Sequence, residues 1–283
     1  MTSSLRITAL TLYPVKSMRG IDVTQGTLTP RGLVHDRRFM VVREDGRFVT
    51  QRDVPKLALV RTALEHEGVV LSREDFGRTQ VPFDRKEGRT VHTRVWGDAC
   101  VTTDQGDELS RWLTAALEST NPLRLVAMAH GFERPQGKAD LLGEENRTVF
   151  ADAAPFLVTN RASLDRLNTA LAAGGHDAVP MNRFRPNIVV EGLPAFGEHQ
   201  QTTLASDDYA LRLHYPCQRC IVTTIDQDSA LKNPRHEPYR TLTSLNSIPG
   251  KDRSPAFGQN ATLVRGEGHT IRVGDLLRKK DSI

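Results

Sequence analysis

The chain has 283 residues, 38% of them hydrophobic and 25% charged, with a net charge of +4 and only three cysteines. That length supports one large or two modest domains around a real core. Basic and acidic residues interleave without a long basic run, which argues against a nucleic-acid polymer as partner, and three cysteines are too few for a disulfide framework, which points to a reducing, cytoplasmic setting.

The chain opens MTSSLRITALTLYPVKSMRG, without the apolar core of a signal peptide. No apolar stretch approaches the roughly 20 residues that cross a bilayer, so no membrane association is expected. Short β-branched or apolar runs at Ile7–Tyr13, Phe39–Val42, Leu57–Thr62, Val69–Ser72 and Val91–Val95 predict strands. Asp45-Gly46 between Val41-Val42 and Phe48-Val49 predicts a hairpin turn, because Gly accepts positive φ there. Over Gly106–Ser119, Leu109, Trp112, Leu113, Ala116 and Leu117 recur at helical spacing. His130–Asn146 is polar, bears Gly and Pro, and reads as a surface loop.

A second helix is predicted over Ser163–Ala173, with Leu164, Leu167 and Leu171 facing inward. Strands are then expected at Asn187–Val190, Tyr209–Leu213, Cys220–Ile225, Ala261–Arg265 and Thr270–Val273, with a loop at Lys251–Gln259. Many short strands at close spacing imply a barrel or sandwich. The fold class is therefore mixed, β-rich α+β: a small β-barrel-like domain over residues 1–125, and a second barrel-like domain with a few helices over 126–283.

Pro216-Cys217-Gln218-Arg219-Cys220 carries the strongest chemical signal. A thiolate beside a fixed guanidinium ionises more readily and makes a better nucleophile or soft-metal ligand. As a zinc site the pair is half of a tetrahedral set. As a redox pair it lacks the helix N-terminus that lowers the first thiol's pKa, since the following IVTTID reads as a strand. Two small buried apolar side chains are the bland alternative.

Four other segments are consistent with an anion site. Lys16-Ser17 follows a Pro-bearing strand end and offers an ammonium, a hydroxyl and backbone N–H groups. His35-Asp36-Arg37-Arg38 leads charges straight into an apolar strand, which taken singly reads as a surface salt-bridge cluster. Arg185 and Asn187, two apart around Pro186, point to one side in extended backbone, and a guanidinium fork with an amide suits a phosphate or a pterin-like ring edge. Within Phe150–Phe156, the small residues around Asp152, Ala153 and Ala154 let backbone N–H groups approach a ligand.

Taken in order, YPVKS, GLVHDRRFMVV, FVTQR, FADAAPF, NRFRPNIVV, PCQRCIVTTID and SPAFGQN…VGD resemble the MOSC family. They are similar to its branch with an N-terminal β-barrel domain, that of the amidoxime-reducing components and YcbX-type molybdenum proteins. The resemblance spans almost the whole chain and implies a β-barrel N-terminal domain followed by a MOSC β-barrel domain.

It also implies a molybdenum cofactor (Mo-molybdopterin), with Cys220 as the protein's metal ligand and catalytic cysteine. Lys16, Ser17 and Arg37 would contact its phosphate and pterin end, and Arg185, Asn187, Gln218 and Arg219 would make further contacts. Asp152 matches the family pattern; Ala153 and Ala154 stand where some relatives carry hydroxyl residues, so only their backbone N–H groups can serve. The segment after Phe196 lacks a Trp common in the family. With three cysteines the chain cannot house the four-cysteine plant-type iron–sulfur domain that some relatives append. The implied activity is reduction of small N-hydroxylated compounds: amidoximes, hydroxylamines or N-hydroxylated bases. Electrons would come from a separate ferredoxin, flavodoxin or reductase type of donor. Sulfur transfer through a Cys220 persulfide and non-enzymatic carriage of the cofactor stay open beside it.

Overall fold

A computed structural model describes residues 5–280 except 86, 135–138, 144–145, 249 and 252. The first half contributes strands β1 (Leu5–Leu12), β2 (Ile21–Val23), β3 (Gln25–Thr29), β4 (Gly32–Leu33), β5 (Phe39–Arg43) and β6 (Arg61–Glu65). It continues with β7 (Gly68–Arg73), β8 (Gly77–Pro82), β9 (Thr90–Val95), β10 (Asp98–Asp104) and β11 (Leu123–Met128). The second half adds β12 (Phe156–Asn160), β13 (Ile188–Glu191), β14 (Thr203–Ala205), β15 (Ala210–Gln218), β16 (Ala256–Arg265), β17 (Thr270–Arg272) and β18 (Leu276–Lys280). Four α-helices are present among the described residues: α1 (Asp107–Ala116), α2 (Ala139–Leu142), α3 (Arg161–Ala173) and α4 (Tyr239–Leu245). None is long and apolar enough to cross a membrane.

Strands β13, β12, β16, β15, β14, β18 and β1 follow one another, and β13 also pairs with β1, so these strands close into a 7-strand barrel with β2 attached to β1. Closure removes the sheet edges. The β12–β13 pair is parallel and therefore needs a crossover, which α3 supplies. The barrel interior holds Leu5, Ile7, Leu10, Phe156, Val158, Ile188, Val190 and Leu211, each at most 1% exposed. Burying such a side chain stabilises by about 1.5–3 kcal/mol.

A four-stranded sheet, β5-β11-β10-β9, and the hairpin ladder β6-β7-β8 form the other unit. Leu109, Leu113 and Leu117 of the α1 region pack there against Phe39, Val41, Leu57 and Val69. The β-rich architecture predicted from sequence is the one observed. Gly46 takes φ +82 at the expected turn, where the Arg47 carbonyl accepts the Arg43 N–H.

Three local expectations are corrected. Pro55–Leu59 is a 3-10 helix, with the strand starting only at Arg61, because Pro55 fixes φ and supplies no N–H for a ladder. Lys251–Gln259 is not all loop: β16 begins at Ala256 and pairs with β15. Ile221–Thr224 is a 3-10 turn rather than a strand. The His130–Asn146 loop contains the short helix α2, and its residues 135–138 and 144–145 lie outside the described residues.

Candidate functional site

A single cleft draws together Lys16, Ser17, Arg37, Asp152, Ala153, Ala154, Arg185, Asn187, Arg219 and Cys220 from segments far apart in sequence. The Tyr13–Ser17 segment leaves β1 and runs beside the start of β5. Lys16 N–H donates to the Phe39 carbonyl at 2.8 Å and Phe39 N–H to the Pro14 carbonyl at 3.0 Å. Ser17 turns back with φ +68, and its carbonyl accepts Gln51 Nε2 at 2.8 Å.

Lys16 is 5% exposed. Its Nζ donates to the Phe150 carbonyl at 2.8 Å and to Asp152 Oδ1. Burial lowers the pKa of this ammonium, with Asp152 pulling it back and Arg134 and Arg37 adding to the fall. Trp96 Nε1 donates to the same Asp152 oxygen at 3.0 Å. Local desolvation around the hydrogen-bonded oxygen works against ionisation, but Lys16 and Trp96 outweigh it and hold the largely exposed Asp152 carboxyl well below the usual carboxylate range. The Phe150–Phe156 segment is fastened from behind by Arg134, which donates to the Ala151 carbonyl at 2.7 Å and to Asp98 Oδ2 at 2.8 Å.

The guanidiniums of Arg37 and Arg185 lie 4.4 and 4.3 Å from the centroid of the Tyr13 ring, a cation–π geometry. Burial pushes the Tyr13 phenol up to about 12, against the pull of both cations. Asp36 pairs with Arg37 and accepts Tyr13 N–H at 2.9 Å, and burial raises its carboxyl despite Arg37. Burial pulls Arg185 down to about 10; among the described residues it forms no ion pair. The backbone at Arg185 is left-handed, φ +55, and not the extended form that placed it beside Asn187. Asn187, 2% exposed, uses its amide on backbone: Oδ1 accepts Leu157 N–H at 3.2 Å and Nδ2 donates to the Thr11 carbonyl at 3.3 Å. It ties β1 to β12 and lines the cleft with its stem.

The end of β15 brings Cys217, and the turn that follows it Cys220, into the cleft. Arg219 Nη1 lies 2.9 Å from Cys217 Sγ, and Nη2 donates to the Phe184 carbonyl at 2.7 Å. Its Nε is buried with no hydrogen-bond partner among the described residues. Cys220 sits at the start of the 3-10 turn, half-buried, and no hydrogen bond reaches its sulfur among the described residues. Gln218 does not line the cleft. It is exposed and its Nε2 reaches Ser254 Oγ at 3.3 Å, because successive residues of a strand face opposite sides.

Thr50, Gln51, Arg52, Val222 and Asn260 complete the wall without having been singled out from sequence. FVTQR in the family pattern was the available signal for the first three. Trp96 and Arg134 act from behind and carried no sequence signal at all. A separate cavity of about 500 Å³, lined in part by Arg31, His35, Arg38 and Arg147, holds no cysteine in its described lining. Among the described residues no three His, Cys, Asp or Glu side chains are grouped to hold a metal ion.

Electrostatically the cleft is one-sided. Lys16, Arg37, Arg52, Arg185 and Arg219 face it with Asp152 as the only carboxylate among its described lining, and Asp152 is already paired to Lys16. It can hold a multiply charged anion next to an accessible sulfur.

Residues 4–120 match the MOSC N-terminal beta barrel domain, and residues 145–278 match the MOSC domain. The chain is 33% identical over 281 residues to the Homo sapiens mitochondrial amidoxime-reducing component 1, covering 95% of this chain and 81% of that one. It is 32% identical to the Rattus norvegicus mitochondrial amidoxime reducing component 2, over 93% of this chain and 80% of the relative. The Danio rerio mitochondrial amidoxime-reducing component 1 is 31% identical over 96% of this chain and 84% of its own length.

Proposed function

The chain belongs to the MOSC family, and from that premise we propose that it is an oxidoreductase that reduces N-hydroxylated compounds with a molybdenum cofactor held at Cys220. The observation that carries this reading is the cleft itself. A cysteine sulfur with no hydrogen bond among the described residues stands beside a cation cluster, in which Arg219 Nε is an unanswered buried donor. A dithiolene-bound metal with a phosphate tail fits that donor set: soft thiolate for the metal, guanidiniums and ammonium for the anion. The names of the amidoxime-reducing relatives point to the substrate class.

Cys220 would ligate the metal. Arg37 and Arg185 would clamp the anionic end, braced on Tyr13, with Lys16 and Ser17 beside them. Arg219 would donate its free Nε edge to a cofactor oxygen, held in place by Cys217 and Phe184. Backbone N–H groups of Ala153 and Ala154 would serve where no side chain can. The bound cofactor supplies a two-electron couple and a Lewis acid. The substrates are small amidoximes, hydroxylamines or N-hydroxylated bases, and electrons come from a separate redox protein.

The test is metal and pterin analysis of wild type and Cys220→Ala from a host able to make the cofactor. Anaerobic amidoxime reduction with a small chemical reductant follows. One molybdenum and one pterin per wild-type chain, metal lost in the variant, and turnover by wild type are the expected results. Cofactor without turnover would make the protein a carrier; zinc, or neither metal nor pterin, would remove the oxidoreductase reading.

A further inference from the structure

Outside the cleft, the alternation of β9 places His92 and Arg94 on its exposed face, while Val91, Thr93 and Val95 are buried. Trp96 follows on the exposed side, 49% exposed. Arg47, which bridges to Arg94, joins them along a groove of about 660 Å³. The side chain of Arg47 is 77% exposed. Among the described lining Asp45 is the only acid, 2.7 Å from Arg47 Nε.

Trp96 belongs to this groove and also reaches the cleft. Its Nε1 donates to Asp152 Oδ1 at 3.0 Å, its ring meets Phe48 edge-on at 5.4 Å, and the Arg52 guanidinium lies 4.9 Å from it. Arg52 and Asp152 both line the cleft that contains Cys220. The indole is held there on a left-handed backbone, φ +57, a conformation that costs a bulky residue of the order of 1 kcal/mol and persists only where its surroundings impose it. An exposed aromatic in a basic groove, hydrogen-bonded to a wall of the cleft, connects solvent to the site.

We propose that this groove is the docking surface for a small acidic electron-carrier protein, and that Trp96 is where its electrons enter the cleft. The inference rests on the reductase reading above. That reaction breaks the N–O bond of R–C(NH2)=N–OH and consumes two electrons and two protons. It yields R–C(NH2)=NH and water, while the carrier is oxidised by two electrons in all. Charge sets the partner: Arg47, Arg94 and, beyond the indole, Arg52 favour an acidic surface and speed encounter at low salt.

The experiment uses the cofactor-loaded full chain, reduced flavodoxin as the acidic carrier, reduced methyl viologen as a small donor, and the double variant Arg47→Glu/Arg94→Glu. Flavodoxin binding by calorimetry and kcat/KM for flavodoxin should each fall at least tenfold. Viologen-driven amidoxime reduction should stay within twofold of wild type, and flavodoxin KM for wild type should rise with salt. Unchanged flavodoxin affinity in the variant, or no affinity in wild type, overturns the proposal, and so does an equal loss with both donors. Trp96→Leu should cut kcat more than tenfold at saturating flavodoxin; an unchanged kcat removes the indole from the route. A wild type that turns over with neither donor defeats the reductase reading, while the calorimetric comparison still decides the docking surface.

Discussion

Arg219 sets Nη1 2.9 Å from the sulfur of Cys217, whereas no hydrogen bond reaches the sulfur of Cys220 among the described residues. The two thiols of one short motif thus stand in different surroundings. Cys217 helps hold a guanidinium, and Cys220 has its sulfur open to a ligand.

Cys220→Ala is expected to abolish metal retention and amidoxime turnover while leaving the denaturation midpoint near that of wild type. Cys217→Ala should retain metal, with weaker cofactor binding because Arg219 loses a brace. Metal content and far-UV circular dichroism on both variants check this. A metal-free Cys217→Ala beside a loaded Cys220→Ala would reverse the assignment.

Arg185→Ala should lower pterin occupancy severalfold while changing stability by no more than about 1 kcal/mol, since removing a desolvated charge offsets lost stacking. Pterin fluorescence per chain and urea midpoints give the two quantities. A large midpoint shift with full occupancy would make Arg185 a packing residue on Tyr13.

The Asp152 carboxyl is depressed in the folded protein, so folding leaves fewer protons there than the unfolded chain binds. Its contribution is complete above an unfolded pKa of about 4 and is lost as pH falls below it. With its side chain 64% exposed, screening limits that contribution to about 1 kcal/mol. Asp152→Asn should therefore be less stable than wild type at neutral pH and show a flatter loss below about pH 4. Parallel acid limbs for the two proteins would remove the Lys16 pairing from the account.

Gly258→Ala should destabilise by about 2–4 kcal/mol. Gly258 has φ +77, and a Cβ there would lie 2.7 Å from Thr159 Cγ2 and 2.8 Å from the Val158 carbonyl. Both belong to the neighbouring barrel strand β12, which cannot retreat without opening the wall. Chemical denaturation measures the change, and a loss under about 1 kcal/mol would mean that the wall yields.

Much of this was legible in sequence where a residue's role is local. Alternation and turn residues marked half of the strands, among them β1, β5, β13 and β15, but gave no sign of β10, β11, β12 or β18; the Gly46 hairpin followed from a single Asp-Gly pair. IVTTID misled because β-branching favours strands, whereas here Thr223 Oγ1 and Thr224 Oγ1 donate to the carbonyls of Cys220 and Ile221 at 3.0 and 2.7 Å. Such local side-chain bonds compete with a ladder and wind the backbone into a turn beneath the thiol. Arg185 precedes a proline, which favours extended backbone, yet its stacking on Tyr13 accompanies a left-handed φ. Asn187 has the residue type of a ligand contact, and only the fold shows that its amide is committed to two strands. Trp96 could not be placed from sequence, because its partner Asp152 is 56 residues away.

Strand β1 sits between β13 and β18, so the first described strand completes a barrel that also needs β18, the last one in chain order. During synthesis β1 waits without its final neighbours while the intervening chain emerges, and the ring closes only when Leu276–Lys280 arrives. Such distant pairing is slow to form, and it makes the two units a single folding problem. Expressed without residues 5–12, the second unit would present two raw strand edges, the kind of surface on which chains associate with one another.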